Sequence, residues 1–254
     1  MNFLLFLGKS ARQQARDPAG TLLTLLTTPV FTVLYGILMH ARDSVSGGTA
    51  FDMYVPGLLV LSIIMIIFSS AMALARELES GAMQRVRLWP VSTFAVLGGT
   101  SAVQLVLAIV GTCLTLGCAR LLGFRPAGSF VVVLGLATLA ATASIGLGLV
   151  VASLAKTQSR AFLVASVLMF LLLLFSGVVF PRPSATFFHI DHTPVGPFDL
   201  LPTTHLHEAL ARTLSGAPLR DVMGRASVLS LLSLVYFTAG LALFRARHRV
   251  GARA

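Results

Sequence analysis

Long apolar runs alternate with short polar segments along the whole chain, and the runs set the first picture of its structure. Six stretches free of Asp, Glu, Lys and Arg predict helical spans at about residues 21–40, 53–74, 93–118, 128–152, 161–181 and 226–244. Each is close to or above the roughly 20 residues that a helix needs to cross a hydrocarbon layer. Pro29 inside the first run is tolerable where neighbouring helices satisfy the freed carbonyl. Between the runs the periodicity changes. Residues 3–16 put Leu4, Leu7, Ala11 and Ala15 on one side and Lys9, Arg12, Gln13 and Arg16 on the other, which predicts an amphipathic helix in the interface, within residues 1–18. Asp17-Pro18 stops it. Within the longest connection, residues 182–225, Leu206, Leu210 and Leu214 recur at helical spacing, and Glu208 stands four before Arg212, so a short surface or re-entrant helix is expected there. The fourth run carries small residues every four positions, Ala140, Ser144, Gly148 and Ala152. Such a ridge lets helix backbones approach closely, inside the bundle or between subunits.

Composition turns the pattern into a class. With 56% hydrophobic and 11% charged residues over 254 positions, the expected fold is an all-α membrane protein, residues 1–254 forming one transmembrane domain. The first apolar stretch is too short and lacks a preceding basic region, so no cleavable secretory signal is expected. The net charge of +10 sits mainly at the ends of the apolar runs, which points to anionic membrane lipids and not to nucleic acid. Six spans put both termini on one side. Twelve Lys or Arg then lie on the terminal side and seven on the other, which makes the terminal side the cytoplasm of a multi-pass cell-membrane protein. Cys113 and Cys118 are five apart in one run, on different helix faces, and support neither a disulfide nor a metal site.

The densest charged segment between two long uncharged runs is residues 76–90, with Arg76, Glu77, Glu79, Arg85 and Arg87. Drawn as a helix, it puts Ala75, Leu78, Ala82, Val86 and Trp89 on one arc and Arg76, Glu77, Ser80, Gln84 and Arg87 on the opposite one, as in a helix lying at a membrane surface. Pro90 suits the first turn of the next span. A loop whose basic residues merely orient the neighbouring spans would leave the same composition.

Glu79-x-Gly81 followed by Arg85 and Pro90-Val91 resembles the cytoplasmic connection between spans 2 and 3 of the ABC type-2 transporter permeases. Asp17-Pro18, residues 176–181 (Ser-Gly-Val-Val-Phe-Pro) and residues 201–210 around Pro202 and His205 are similar to that family in the same order. The closest look is to the subgroup that exports drugs and antibiotics. The resemblance implies the membrane subunit of an ATP-driven exporter, dimeric with a second copy or a close relative. It also implies two copies of a separate ABC ATPase that carries ATP and Mg, with no cofactor in this chain. In that family the connection after span 2 is the coupling helix that docks on the ATPase. Glu79, Gly81, Arg85 and Pro90 occupy its motif positions; Arg76, Glu77 and Arg87 are added here as polar docking contacts on their charge alone.

The residues restrict the chemistry further. No expected span has an acidic or basic interior residue, whereas ion-coupled carriers usually keep one despite an insertion cost of roughly 2.5–3.5 kcal/mol. A G-x-x-x-x-G-K-[ST] phosphate loop is missing, so the chain is not expected to be an enzyme by that route. His189, His192, His205 and His207 lack the helical spacing of a zinc pair, and no span offers a nucleophile with a histidine base. Three Tyr and one Trp are a poor supply of rings for stacking on sugars, which favours an apolar or amphipathic small molecule such as a drug, antibiotic or lipid as substrate. Export of a polysaccharide or glycolipid, or a structural or regulatory role without transport, remains the alternative.

Overall fold

The computed structural model describes residues 2–46, 50–81, 93–155, 157–178, 188–190, 193–195 and 197–250. Helix α1 covers Asn2–Arg16. Six helices long and apolar enough to cross a membrane follow: α2 (Pro18–Ser46), α3 (Ala50–Glu79), α4 (Thr93–Leu121), α5 (Phe130–Leu154), α6 (Gln158–Phe175) and, later, α8 (Leu219–Val250). Between α6 and α8 lie a three-residue hairpin, β1 (Phe188–Ile190) with β2 (Thr193–Val195) in the register His189 opposite Pro194, a 3-10 turn at Pro197–Leu200, and α7 (Pro202–Leu214). The protein is an all-α membrane protein apart from that hairpin.

Most helices outrun the uncharged cores predicted for them, because polar residues at a membrane edge can stay helical while their heads reach water. The fifth span is the exception. Expected over residues 161–181, it begins at Gln158, with the Thr157 side chain accepting from the Arg160 N–H, and ends at Phe175. Gly177 takes φ 80°, a left-handed conformation that stops a helix where glycine stands, and Ser176 Oγ donates to the Leu173 carbonyl at 2.9 Å.

Helix α3 is apolar on every side and sits at the centre, where such a helix belongs. Its membrane-crossing stretch is 72% buried, against 17% in α6 and 22% in α8. Val55, Leu59, Ile63, Ile64, Ile67 and Leu74 are fully covered, by α2, α4, α5, α6 and α7. By contrast α2 turns Leu22, Leu23, Leu26, Leu34 and Ile37 outward, and α6 and α8 do the same with Leu163, Val167, Leu231 and Leu234, as lipid-facing helices should.

Helix α5 packs between α3 and α8 on two faces of small residues. Ala140, Ser144, Gly148 and Ala152 are all buried within this one chain, and a Cβ at Gly148 would run into Ser70 of α3. On the other face a Cβ at Gly146 would lie 2.5 Å from the Tyr236 carbonyl oxygen and 2.6 Å from the Phe237 nitrogen, and one at Gly240 would strike Gly146. The two glycines therefore mark a crossing where α5 and α8 touch backbone to backbone.

At the end of the bundle away from the termini, α7 is a packed helix and not a surface one. Leu206, Leu210 and Leu214 are buried, and the Ala127 N–H donates to the Leu214 carbonyl at 3.1 Å. Glu208 is bonded to Arg225 of α8 at 2.7 Å, while Arg212, expected as its partner, donates to the Asp221 carbonyl at 3.0 Å.

Candidate coupling site

The charged segment begins as the last turn of α3 and not as a helix of its own. Residues 75–79 continue the span, the Ser80 N–H bonds to the Arg76 carbonyl at 3.0 Å, and Gly81 turns the chain at φ 67°. The expected single surface helix over residues 76–90 is therefore corrected at its start. A left-handed residue at Gly81 interrupts the arc drawn from Ala75 to Trp89, and a side chain there would be strained. Arg85, Arg87 and Pro90, with the rest of residues 82–92, lie outside the described residues.

Within this turn Glu77 and Glu79 point to different neighbours. Glu77 is 4% exposed and accepts from Lys9 Nζ of α1 at 3.2 Å. It is thus an internal anchor and is corrected as a docking contact: a carboxylate covered this fully leaves the surface and needs its cation beside it. Glu79 stays exposed and accepts from the Gln158 N–H at 3.0 Å, so its charge sits at the positive end of α6. Arg76 bonds Asp17 at 2.7 Å. Asp17 also accepts from the Gly20 N–H at 3.2 Å, which makes Asp17-Pro18 both the stop of α1 and the cap of α2. The bond from Arg76, and after it the one from Gly20, holds the Asp17 carboxyl below its usual value.

Helix α1 is fastened to the same end of α4. Ser10 and Thr100 hydroxyls lie 3.3 Å apart, and a Cβ at Gly99 would come within 2.9 Å of the backbone of Phe6 and Leu7. Four helix ends thus meet around Arg76 to Gly81: α1 through Lys9, α2 through Asp17, α4 through α1, and α6 through Glu79. Under them lies a cavity of about 90 Å³ lined by Ser10, Gln14, Asp17, Ser69, Glu77 and Gln104. Gln104 Oε1 and one Glu77 oxygen are buried there with no protein partner among the described residues, and the cavity has room for a water between these polar groups.

This arrangement can carry force. A pull on the segment after Gly81 acts on α3, the central helix, and through charge pairs on α1 and α6. Among the described residues no group of three His, Cys, Asp or Glu could hold a metal. His192 lies outside them, and His205 is buried in α7, bonded at Nε2 to the Asp199 carbonyl at 2.7 Å.

Comparison with known families decides what kind of protein carries this junction: the ABC-2 type transporter family matches residues 1–190. The chain belongs to the ABC-2 type transporter family. Curated proteins compared with the chain give no match. As a family member it is the multi-pass permease of an ABC transporter and works with an ABC ATPase subunit. The match takes in α1 to α6, with the whole charged junction, and leaves α7 and α8 beyond it.

Lys9, Asp17 and Gln104 join the site only in the folded structure. A signal existed for two of them, since Lys9 on the first helix and Asp17 just after it are opposite in sign to Glu77 and Arg76 at the end of the third helix. Nothing in spacing alone tells which charges across a membrane protein will meet.

Proposed function

We propose that this permease is the export channel of an ATP-driven complex, with both termini in the cytoplasm and residues 76–90 docking on the ATPase. The reading is carried by one observation. The charged end of the most buried helix is tied to α1 by Lys9–Glu77, to the start of α2 by Asp17–Arg76 and to α6 by Glu79, so a load applied after Gly81 reaches several helices at once. Two permeases and two ATPase subunits, the latter binding ATP with Mg, would complete the machine. The cytoplasmic placing of this end follows from the bias of basic residues toward it. An apolar or amphipathic small molecule is the substrate class most in keeping with lipid-facing spans and a supply of only three Tyr and one Trp for stacking on sugars. In this scheme Glu79 supports docking by fixing the end of α3 against α6, and Gly81 supplies the turn into the docking segment.

A photo-crosslinking residue at Ser80 tests this in the intact complex. It should couple to a protein bearing a Walker motif, and the coupling should change on adding ATP, whereas the same residue at exposed Arg125, at the opposite end of the bundle, should not. Equal crosslinking from Arg125, or none from Ser80 in a preparation that hydrolyses ATP, would refute the docking assignment.

A further inference from the structure

Beside the junction, on its outer side, α1 and the end of α3 enclose an open recess of about 700 Å³. Lys9, Arg12, Arg16 and Arg76 line it, with Asp17 and, at its rim, Leu5. Lys9, Arg12 and Arg16 are spaced three and four apart, which stacks them on one face of α1. Two of the four cations are neutralised, Arg76 by Asp17 and Lys9 by Glu77. Arg12 and Arg16 are exposed and have no acidic partner among the described residues. The recess therefore keeps positive charge that the protein itself does not answer.

We propose that this recess is a seat for the phosphate of an anionic membrane lipid. Arginine forks bind phosphate oxygens in pairs, so two unpaired guanidiniums facing one recess suit a phosphodiester. The surroundings choose a lipid over a soluble anion. Leu5 is 67% exposed at the rim, and Leu22, Leu23 and Leu26, one to two turns into α2, face outward where acyl chains would run. Helix α1 crosses the ends of α3 and α4 through Lys9–Glu77 and Ser10–Thr100, which holds the recess at the level where headgroups lie. Arg76 is shared between Asp17 and the recess, so a bound headgroup touches the residue that ties α2 to α3. The inference needs only the membrane placing of the helices, and it stands whether or not the export reading does.

A fluorescent reporter in the recess tests the proposal. Gly8 lines it, and a Cβ there meets nothing within 4 Å, so Gly8→Cys can carry a bimane label in a full-length background lacking Cys113 and Cys118. In vesicles of phosphatidylcholine with graded brominated phosphatidylglycerol, quenching should saturate at a low mole fraction. Brominated phosphatidylcholine should quench weakly and without saturation. Arg12→Gln with Arg16→Gln should raise the half-quenching mole fraction by about thirtyfold, at about one kcal/mol for each basic residue near a charged surface, with an unchanged elution profile. A second label at exposed Ser159→Cys, at the same end of the bundle, separates a formed seat from diffuse attraction. The same saturation there would overturn the proposal, as would quenching at Gly8→Cys that ignores the double substitution. A recess that serves the acidic face of a protein would show no lipid preference, which also refutes it. Inorganic phosphate that reproduces the bimane change in phosphatidylcholine vesicles would make the ligand a free anion and refute the lipid assignment.

Discussion

The crossing of α5 with α8 and the junction of α1 with α3 both fasten one helix to another, and they do so by opposite means. At the crossing there are no side chains to speak of: Gly146 and Gly240 let the backbones meet, and the contact is one of shape. At the junction the contacts are charges and hydroxyls, with water-sized space beneath them. Close packing inside a membrane resists change of any kind, because a void or a clash has no solvent to absorb it. Charge pairs near the interface are weaker and respond to salt, protons and partners. A transporter needs both, a frame that keeps its shape and an end that can be moved, and in this chain the two kinds of contact fall on different pairs of helices.

The largest effect is therefore expected at the crossing. Gly146→Leu forces a side chain against the Tyr236 carbonyl and the Phe237 nitrogen, which are backbone atoms and have no alternative rotamer. Overpacking commonly costs about 1–3 kcal/mol, and a clash with backbone belongs at or beyond the upper end. The variant should be lost from the monodisperse peak on size-exclusion chromatography. Gly135→Leu on the same helix, where a Cβ meets nothing within 4 Å, should elute as wild type. If both elute normally, α5 and α8 do not cross as described.

At the junction the two partners of one ion pair should behave unequally. Lys9→Met leaves the Glu77 carboxylate covered and without its cation, whereas Glu77→Gln leaves a lysine that is 42% exposed and can turn to water. Removal of one member of a fully buried pair costs roughly 3–5 kcal/mol; with one member half exposed, a loss of roughly 2 kcal/mol is expected for Lys9→Met and well under that for Glu77→Gln. Thermal unfolding of the two variants in the same detergent gives the order, and the reverse order would mean that Glu77 is not the buried member.

How far the sequence reveals these two regions depends on the range of the information. The spans are legible because lipid demands long apolar runs, and the small-residue ridge of α5 is legible because its period is local. Gly146 is also in the sequence, but it lies off the four-residue ridge, and only the position of α8 shows what it touches. The charged segment is legible as the densest cluster of its kind, yet its pattern predicts a surface helix where α3 is still running. The helical wheel ignores what glycine does, and Gly81 breaks the period by its φ of 67°. The charge of Glu77 predicts an outward contact because a charge is usually solvated, and Lys9, sixty-eight residues away, reverses that.

Between these extremes stands His205 at the far end, where α7 meets α8. Its Nε2–H donates to the Asp199 carbonyl at 2.7 Å, and Nδ1 lies 3.5 Å from an Arg225 nitrogen, so the neutral ring satisfies both neighbours and a second proton would face a guanidinium. Burial, more than the nearby charge of Arg225, lowers its pKa, against opposing effects from Asp199 and Glu208. The unfolded chain then takes up its proton first. Stability is full above the ordinary value near 6.5 and declines as pH falls below it. The unfolding temperature of wild type should drop on acidification through that window, and His205→Gln should flatten the drop. A wild-type profile that is flat between pH 7 and 5 would contradict the neutral, buried ring.

The smallest effect belongs to Asp17 and Arg76, and its smallness sharpens the contrast with the crossing. Both side chains are about a third exposed, at 30% and 38%, so water screens the pair despite its 2.7 Å separation, and a contribution of about 0.2–1 kcal/mol is expected. Because the Asp17 pKa is lowered in the folded protein, that contribution is complete above the ordinary carboxylate value of 3.8 and disappears as pH falls through the folded value. Near neutral pH, Asp17→Asn should therefore shift the unfolding temperature only slightly, and the shift should shrink further in high salt. Its larger consequence is geometric. Without the carboxylate, Arg76 is free to turn toward the lipid recess and α2 loses the cap at Gly20. Labelling of Gly8→Cys by an impermeant thiol reagent should change more than stability does. A loss of stability comparable with that of Gly146→Leu would mean that the junction is held as rigidly as the crossing, and the division of the molecule into a fixed frame and a movable end would fail.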